Sequence, residues 1–253
     1  MNVENVGKPV AIILNETDKQ KNKALYVESK KENIINPMTE ITLKSNEKLQ
    51  QIPNTSSERM ILYITGSSGS GKSFYTRQFS ETYRKLYPKR EIYLFSSLSE
   101  DSSIDKIKGL KRLKTTPELM NEDLTAADFK DSLVFFDDTD CITDKVKKAK
   151  INGILNSLLE TGRHFNASVI YTSHLPCAGN DTKRILNEAH SITIFPNGLG
   201  GRSLKYLLDS YLGLDKDQIK RIKKTDSRWV TIVKSYPMVV LNEREAYTLN
   251  SGI

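Results

Sequence analysis

Eight consecutive residues, 66–73, read GSSGSGKS and match the pattern GxxxxGK[ST] at every fixed position. The glycines allow a tight turn in which successive backbone N–H groups point inward at an anion. In this pattern Lys72 bridges the β- and γ-phosphates of a nucleotide, and the hydroxyl of Ser73 is a magnesium ligand. The sequence therefore predicts a phosphate-binding loop, the P-loop. Its predicted nucleotide contacts are Gly66, Ser67, Ser68, Gly69, Ser70, Gly71, Lys72 and Ser73.

The segments beside this loop supply the context that the motif needs. Residues 60–65 (MILYIT) form a continuous apolar run typical of a buried parallel strand, and residues 73–87 have apolar positions at helical spacing. A strand, a glycine loop and a helix in this order favour a P-loop over the alternative, a chance match in a Ser/Gly-rich loop.

Strand and helix patterns alternate along the rest of the chain. The alternation predicts an α/β fold, a three-layer sandwich around a mainly parallel P-loop sheet. After Gly198 the pattern changes to two helices, near 203–212 and 215–224, and two strands, 229–234 and 238–241. Before that point the predicted strands are 91–96, 133–136, 168–172 and 191–195, and the predicted helix is 146–160, ended by Gly162.

The chain of 253 residues is long enough for one domain with extensions. Residues 1–57 are polar with short strand-like runs at 9–14, 24–28 and 40–44, and they are interpreted as an N-terminal arm or a small strand layer. Residues 58–253 are interpreted as the P-loop ATPase domain, with a C-terminal helix and strand extension from about residue 199.

Two acidic residues follow the apolar run LVFF at 133–136. Because ligands bind at the carboxyl edge of an α/β sheet, these residues are expected beside the P-loop. Asp137 is the Walker B candidate that holds magnesium, and Asp138 is the candidate that orients and deprotonates the attacking water. The alternative is an acidic loop after a core strand.

A polar sensor is expected near the same edge. An acid directly after the Walker B residue resembles the RecA-like (ASCE) division of P-loop proteins, in which an extra strand lies between the P-loop strand and the Walker B strand. Residues 168–172 supply such a strand, and Thr172, Ser173 and His174 stand at its end. The sequence contains neither NKxD nor the DxxG switch, which disfavours a GTPase.

The formal net charge of +7 and the pI near 9.2 favour an acidic partner, and nucleic acid is the first candidate. The alternative is that the positive charge only keeps the protein soluble. No apolar run approaches the ~20 residues of a membrane span, and the run at 9–14 is too short for a secretory signal. The protein is therefore expected inside a cell without a membrane span. Cys141 and Cys177 lack the spacing of a zinc site and fit a reducing compartment.

Four segments together carry a family resemblance: ITGSSGSGKS, LVFFDD, GRHFNASVIYTSH and SRWVTIVKSYP. They resemble the DNA-packaging ATPases of large cytoplasmic DNA viruses, the poxvirus-type branch of the FtsK/HerA superfamily. The resemblance covers roughly residues 58–245 and leaves the N-terminal arm outside.

The resemblance implies roles for further residues. Arg163 occupies the position of the arginine finger, which reaches the γ-phosphate in a neighbouring subunit; the alternative is a helix-end cation. His174 stands where the superfamily usually has Gln, and Asp138 where it more often has Glu. The catalytic set that follows is Lys72, Asp138, Arg163, Thr172 and His174, with Ser73 and Asp137 on the metal.

Two basic clusters are candidates for contact with DNA phosphates, and the alternative for each is a solvated helix face. One follows the Walker B strand and the other lies near the C-terminus. They comprise Lys145, Lys147, Lys148 and Lys150, and then Lys216, Lys220, Arg221, Lys223 and Lys224.

The predicted function is an ATP-hydrolysing double-stranded DNA translocase that packages a viral genome into a capsid. It would use ATP and Mg²⁺, form a homo-oligomeric ring around the duplex, and contact a capsid or portal component in the host cytoplasm, at the virus factory, or in the virion. One alternative is a P-loop kinase of a nucleoside or another small molecule. A second is an ATP-gated DNA-binding scaffold for assembly.

Overall fold

The structure, a computed structural model, describes residues 1–28, 30–55, 58–177 and 180–249. Within these residues, ten strands form one sheet and three form a second. The strands are β1 (Lys8–Asn15), β2 (Lys23–Val27), β3 (Glu40–Thr42), β4 (Glu47–Gln51), β5 (Ile61–Thr65), β6 (Glu91–Ser96), β7 (Leu110–Arg112), β8 (Ser132–Asp137), β9 (Ser168–Ser173), β10 (Ser191–Ile194), β11 (Val230–Val233), β12 (Val239–Asn242) and β13 (Glu245–Thr248). The helices are α1 (Lys72–Leu86), α2 (Pro117–Asn121), α3 (Lys145–Thr161), α4 (Asn180–Glu188), α5 (Gly201–Tyr206) and α6 (Lys216–Lys223).

The large sheet has the order β3-β13-β12-β11-β10-β5-β9-β8-β6-β7. In this order, each neighbouring pair from β10 to the β7 edge is parallel. Each neighbouring pair from the β3 edge to β10 is antiparallel. Strand β9 lies between β5, which leads into the P-loop, and β8, which ends at Asp137. This order confirms the predicted α/β fold with its extra strand between the P-loop and Walker B strands.

The central strands are covered on both faces. Every residue of β5, β8 and β9 is buried, which is why these segments are continuously apolar in sequence rather than alternating. Helix α1 packs one face through Phe79 and Tyr83, and helix α3 packs the other through Ile154 and Leu158. The three layers of the predicted sandwich are therefore α1, the sheet and α3.

The N-terminal segment forms strands, as predicted, and these pack against the sheet domain. Strands β2, β1 and β4 make the small antiparallel sheet, whose Ala11, Leu25 and Leu49 join the same apolar cluster as α1. Strand β3 instead extends the large sheet, because Ile41 pairs with Ala246 of β13. The predicted boundary after residue 57 stays a prediction, since residues 56 and 57 lie outside the described part of the chain.

The predicted C-terminal helices and strands are present with shifted ends. Helix α5 passes into a π-helical turn, Leu207–Tyr211, and the strand β13, which the sequence analysis missed, completes the hairpin after β12. In the part of the chain that the structure describes, no helix combines the length and the apolar character needed to cross a bilayer.

Candidate functional site

The glycine-rich loop connects the end of β5 to the start of α1 at the carboxyl edge of the sheet. Gly71 has φ +114°, a left-handed conformation that favours glycine. At Gly66 a Cβ atom would lie 2.6 Å from Ser70 Oγ and 2.9 Å from Phe195 Cβ, so that no larger residue fits without displacement. The N–H of Gly66 donates to the carbonyl of Ser173 at 3.2 Å, which ties the loop to the end of β9.

Lys72 is the first residue of α1 and is 6% exposed. Its Nζ donates to the Gly66 carbonyl at 2.9 Å and lies 3.2 Å from His174 Nδ1. The same nitrogen is 3.9 Å from Asp138 Oδ1. The loop thus holds a buried ammonium group at its mouth, among groups from two other strands.

Asp137 is the last residue of β8 and is 4% exposed. Its carboxylate accepts hydrogen bonds from Ser96 Oγ at 3.1 Å and Thr172 Oγ1 at 2.9 Å. Burial raises the pKa of Asp137 above its usual range, and the charge of the adjacent Asp138 raises it further. A buried carboxylate in this condition gains stability from a bound divalent cation.

Asp138 leaves the strand in a left-handed conformation, φ +47° and ψ +35°, which is uncommon for a residue with a side chain. Its N–H donates to Thr172 Oγ1 at 3.0 Å. One carboxylate oxygen lies 2.9 Å from His174 Nε2. The turn therefore brings the second carboxylate of the predicted pair toward Lys72 and the end of β9.

His174 joins Lys72 to Asp138 through its two ring nitrogens. Because an ammonium group only donates, Nδ1 must accept from Lys72, and Nε2 then carries the proton that is donated to Asp138. These two contacts match the tautomer with its proton on Nε2. His174 thus stands at the predicted sensor position in contact with the predicted catalytic carboxylate.

The sequence analysis missed Asp101 and Ser96, which both lie in the site. Asp101, in the loop after β6, accepts from Ser73 Oγ at 3.2 Å through Oδ2, and its Oδ1 accepts from the N–H groups of Ser103 and Ile104, each at 2.7 Å. Ser96 reaches Asp137 because the two residues are register partners in β6 and β8. The sequence did contain one signal for Asp101. It is an acidic residue shortly after β6, a further strand that ends at the carboxyl edge of the sheet.

The oxygen donors near Ser73 fit a magnesium ion. Ser73 offers a hydroxyl, Asp137 a buried carboxylate, and Asp101 a second carboxylate beside Ser73. Hard oxygen ligands of this kind, together with substrate phosphates, are what Mg²⁺ prefers. Among the described residues, no group of three or more His, Cys, Asp or Glu side chains is arranged to hold a metal alone.

Arg163 lies far from the other predicted catalytic residues of its own chain. It is exposed, in the turn between α3 and β9. β9 has six residues, so the strand places Arg163 roughly 20 Å from the carboxyl edge, at about 3.3 Å per residue. Arg59 donates to the Leu159 carbonyl at 3.0 Å nearby. Burial lowers the pKa of Arg59, and the positive charge of Arg163 also lowers it.

The first basic cluster is partly engaged within the protein. Lys148 Nζ donates to the Asp140 carbonyl at 3.0 Å, and Lys150 donates to the Glu122 carbonyl and lies 3.7 Å from an Asp123 carboxylate oxygen. Lys145 is exposed and Lys147 half-buried on the first turn of α3.

The second basic cluster has one member in a structural ion pair. Arg221 lies 2.7 Å from Glu40 and 3.0 Å from Glu245, and its guanidinium stacks 3.5 Å from the centre of the Tyr247 ring. Arg221 thereby holds α6 against β3 and β13. The exposed members of this cluster are Lys216, Lys220, Lys223 and Lys224.

Arg228 is a further cation at the loop that the sequence analysis did not single out. It is exposed, directly before Trp229 and β11, and its Nη2 lies 3.4 Å from the Ser70 carbonyl. The antiparallel pairing of Val230 with Ile194 returns the chain to the P-loop edge at this point.

The fold and the site define a P-loop protein of the division with an extra strand beside the Walker B strand. Among solved structures, the DNA-packaging ATPase B204 from Sulfolobus turreted icosahedral virus is 16% identical with a TM-score of 0.50, and the match covers 73% of this chain and 97% of B204. The cytoplasmic domain of the type VII secretion ATPase EccC from Thermomonospora curvata is 9% identical with a TM-score of 0.53, and the match covers 85% of this chain and 29% of that one. At these identities the likeness concerns the fold, and at that level it confirms the resemblance that the motifs predict.

One relative is close enough in sequence to show a family. "Uncharacterized protein V3" of Sputnik virophage is 38% identical over 242 residues, which cover 94% of this chain and 89% of the relative. The chain belongs to the family of this virophage protein. No family model matches it.

Proposed function

We propose that the protein is an ATP-hydrolysing double-stranded DNA translocase that packages a viral genome into a capsid. The observation that carries the proposal is the group formed by Lys72, His174 and Asp138, beside Asp137 and at the mouth of the P-loop. A buried cation for phosphates and a separately held carboxylate for water are the two parts that phosphoanhydride hydrolysis needs.

ATP and Mg²⁺ are the proposed ligands of this site. Ser73 and Asp137 would hold the metal, with Asp101 beside Ser73. When bound, Mg²⁺ neutralises charge on the β- and γ-phosphates. Binding of ATP would draw Lys72 from the Gly66 carbonyl onto the phosphates, and Ser73 would exchange its bond to Asp101 for the metal.

Asp138 is the proposed general base. Its side chain is 15% exposed and lies outside the strand, its carboxylate is oriented by His174, and its backbone N–H donates to the Thr172 hydroxyl oxygen. It would orient the attacking water and accept its proton as the water oxygen bonds to the γ-phosphorus and the bridging oxygen leaves with ADP. Thr172 and His174 would act by fixing Asp138 and, through His174, Lys72.

A homo-oligomeric ring is the proposed assembly. Arg163 is exposed at the edge of the sheet opposite its own P-loop, which supports action on the site of a neighbouring copy rather than its own. A ring around the duplex would let exposed lysines, such as Lys145 and Lys220, meet DNA phosphates. Two findings support a role at the capsid, in the host cytoplasm or in the virion. The chain is similar in fold to a viral DNA-packaging ATPase, and its relative is a virophage protein.

The alternative function is that of a kinase, which transfers the γ-phosphate to a small molecule instead of to water. A kinase would need the polar segment between β6 and β8 as a lid over its second substrate. In this chain part of that segment is β7, which extends the large sheet beside β6. The observation favours a structural role for the segment.

The test is ATP hydrolysis by the full chain with and without long duplex DNA, and with nucleosides as competing acceptors. Phosphate release that duplex DNA stimulates and nucleosides leave unchanged is expected. Transfer of the γ-phosphate to a nucleoside would overturn the proposal in favour of a kinase. DNA-stimulated turnover without movement against a roadblock would replace the motor by an assembly scaffold.

A further inference from the structure

A cleft of about 420 Å³ opens beside the P-loop, between the small N-terminal sheet and α1. Ser70 and Gly71 of the loop lie at its border. Its volume lies within the ~300–1,000 Å³ range of small-molecule sites. The side chains on which the inference depends are Leu14, Leu49 and Gln50 from the N-terminal sheet, Phe74 and Gln78 from α1, and Trp229.

We propose that this cleft binds the base of the nucleotide, and that Gln50 selects adenine over guanine. The inference rests on the proposed binding of a nucleoside triphosphate by the P-loop. It gives the N-terminal segment, which lies outside the resemblance to the packaging ATPases, a part in the nucleotide site.

The position of the cleft suits a base whose phosphates lie in the P-loop. Lys72 begins α1, and Gln78 follows six residues later, which is about 9 Å along the helix axis at 1.5 Å per residue. A ribose and an α-phosphate separate the base of a nucleotide from its β-phosphate. A nucleotide extended along α1 therefore brings its base to the level of Phe74 and Gln78.

The walls of the cleft suit a flat aromatic ring. Phe74 is 58% exposed although it borders an apolar wall that includes Leu14 and Leu49. Trp229 is 8% exposed and packs edge-on against Tyr75, with ring centroids 5.1 Å apart. An exposed phenyl ring beside this apolar wall can stack on a base.

Gln50 supplies the polar group that can read the base. Its Nε2 donates to the Gln78 carbonyl at 3.4 Å and to Thr82 Oγ1 at 3.2 Å. The Thr82 hydroxyl donates its own hydrogen to the Gln78 carbonyl, so its oxygen is left to accept from Gln50. Within the described residues, Gln50 Oε1 takes part in no hydrogen bond.

The orientation of this amide distinguishes the two purines. A flip would place Oε1 against the Gln78 carbonyl, two acceptors facing each other. The fixed orientation leaves an acceptor, which pairs with the exocyclic amine at position 6 of adenine. In the same pose guanine presents its O6 carbonyl oxygen to Oε1, and its N1–H and N2 donors lie further along the same edge of the ring. A site built to hydrogen-bond one partner discriminates strongly against an analogue that leaves its polar group unpaired.

The experiment measures the Kd of the full chain for MgATP and MgGTP. Trp229, the single tryptophan of the chain, lies in the cleft and reports binding by its fluorescence. We expect ATP to bind about tenfold more tightly than GTP, and Gln50→Ala to weaken ATP by about that factor while GTP is unchanged. Gln20→Ala, an exposed glutamine of the same segment, is the matched control and should leave both constants unchanged.

A second variant tests the cleft without touching selectivity. Phe74 is exposed, so Phe74→Ala should fold normally and should weaken ATP and GTP by the same factor. Unchanged affinities for both nucleotides in Gln50→Ala and in Phe74→Ala would overturn the inference. In that case, loss of binding of both nucleotides in Lys72→Ala would show that the P-loop still binds the phosphates. A wild-type chain that binds neither nucleotide would overturn the proposed function and this inference with it.

Discussion

Asp137 and Asp138 are adjacent in sequence, but their surroundings differ. Asp137 is buried in the strand between two hydroxyl donors, whereas Asp138 turns out of the strand toward His174. We expect Asp138→Asn to retain the Kd for MgATP and to lower kcat by ~10²-fold or more, because an amide cannot accept the proton of the attacking water. Steady-state phosphate release and equilibrium binding check this. Loss of binding in place of turnover would mean that the two carboxylates have exchanged roles.

His174 provides a second test at the residue scale, because it lies between Lys72 and Asp138. We expect His174→Ala to lower kcat about tenfold, since Asp138 loses one charged hydrogen bond and Lys72 loses one of its acceptors while keeping the Gly66 carbonyl. In His174→Gln the amide oxygen can accept from Lys72 or the amide nitrogen can donate to Asp138, so that part of the activity should return. Measurement of kcat at saturating ATP checks the expected order, in which His174→Gln lies between the wild type and His174→Ala. Full activity in His174→Ala would remove His174 from the site.

Elements with strong apolar patterns could be predicted from the sequence, and weakly patterned ones could not. Strands β5, β8 and β9 are buried along their whole length, so their sequences are continuous apolar runs. Strands β4 (EKLQQ) and β7 (LKR) lie at or near sheet edges with polar sequences, and no periodicity distinguishes them from loops.

The same limit applies within the site. Lys72, Asp137 and Asp138 belong to motifs with fixed spacing, whereas Asp101 and Arg228 reach the loop only through the pairing of distant strands. Such neighbours depend on register, which a single sequence does not encode locally.

The start of α3 carries the prediction for DNA binding at the scale of an element. Lys145 and Lys147 lie on its first turn, whereas Lys148 and Lys150 contact backbone carbonyls. If α3 meets the duplex, replacing Lys145 and Lys147 by Gln should reduce the slope of log K against log salt by about 0.9 per lost phosphate contact. DNA-binding titrations at several salt concentrations measure the slope. The control replaces Lys19 and Lys21, two exposed lysines of the N-terminal segment, by Gln. Equal slopes in the wild type, the α3 variant and this control would mean that the first turn of α3 is a solvated surface without DNA contacts.

Arg221 shows why a basic residue is not by itself a DNA contact. Its charge is matched by Glu40 and Glu245, and it stacks on Tyr247. The exposed lysines of α6 are therefore the better candidates within that cluster.

At the scale of the whole molecule, the two edges of the sheet carry different parts of the proposed chemistry. The carboxyl edge has the P-loop, Asp137 and Asp138, and the amino edge has Arg163. One copy cannot bring these edges together, because the length of β9 separates them. A ring in which the amino edge of each subunit faces the carboxyl edge of the next would complete every site.

We expect Arg163→Ala to retain MgATP binding and to lower kcat by ~10³-fold, because an arginine finger stabilises charge in the transition state. Binding should survive since Lys72, Ser73 and the loop amides all belong to the bound subunit. Lys21→Ala, an exposed cation of the N-terminal segment, should leave both constants unchanged.

Mixing Arg163→Ala subunits with Asp138→Asn subunits separates action in trans from action in cis. Where an Arg163→Ala subunit takes its finger from an Asp138→Asn neighbour, the site has both an intact carboxylate and an intact arginine. Such interfaces should recover part of the ATPase activity that each variant lacks alone, and the recovered rate should be highest at equal proportions. A finger acting in cis allows no such pairing, because each subunit then lacks one of the two groups in its own site. Mixed rings, verified by differently tagged subunits, that stay as inactive as either parent would return Arg163 to a helix-end cation.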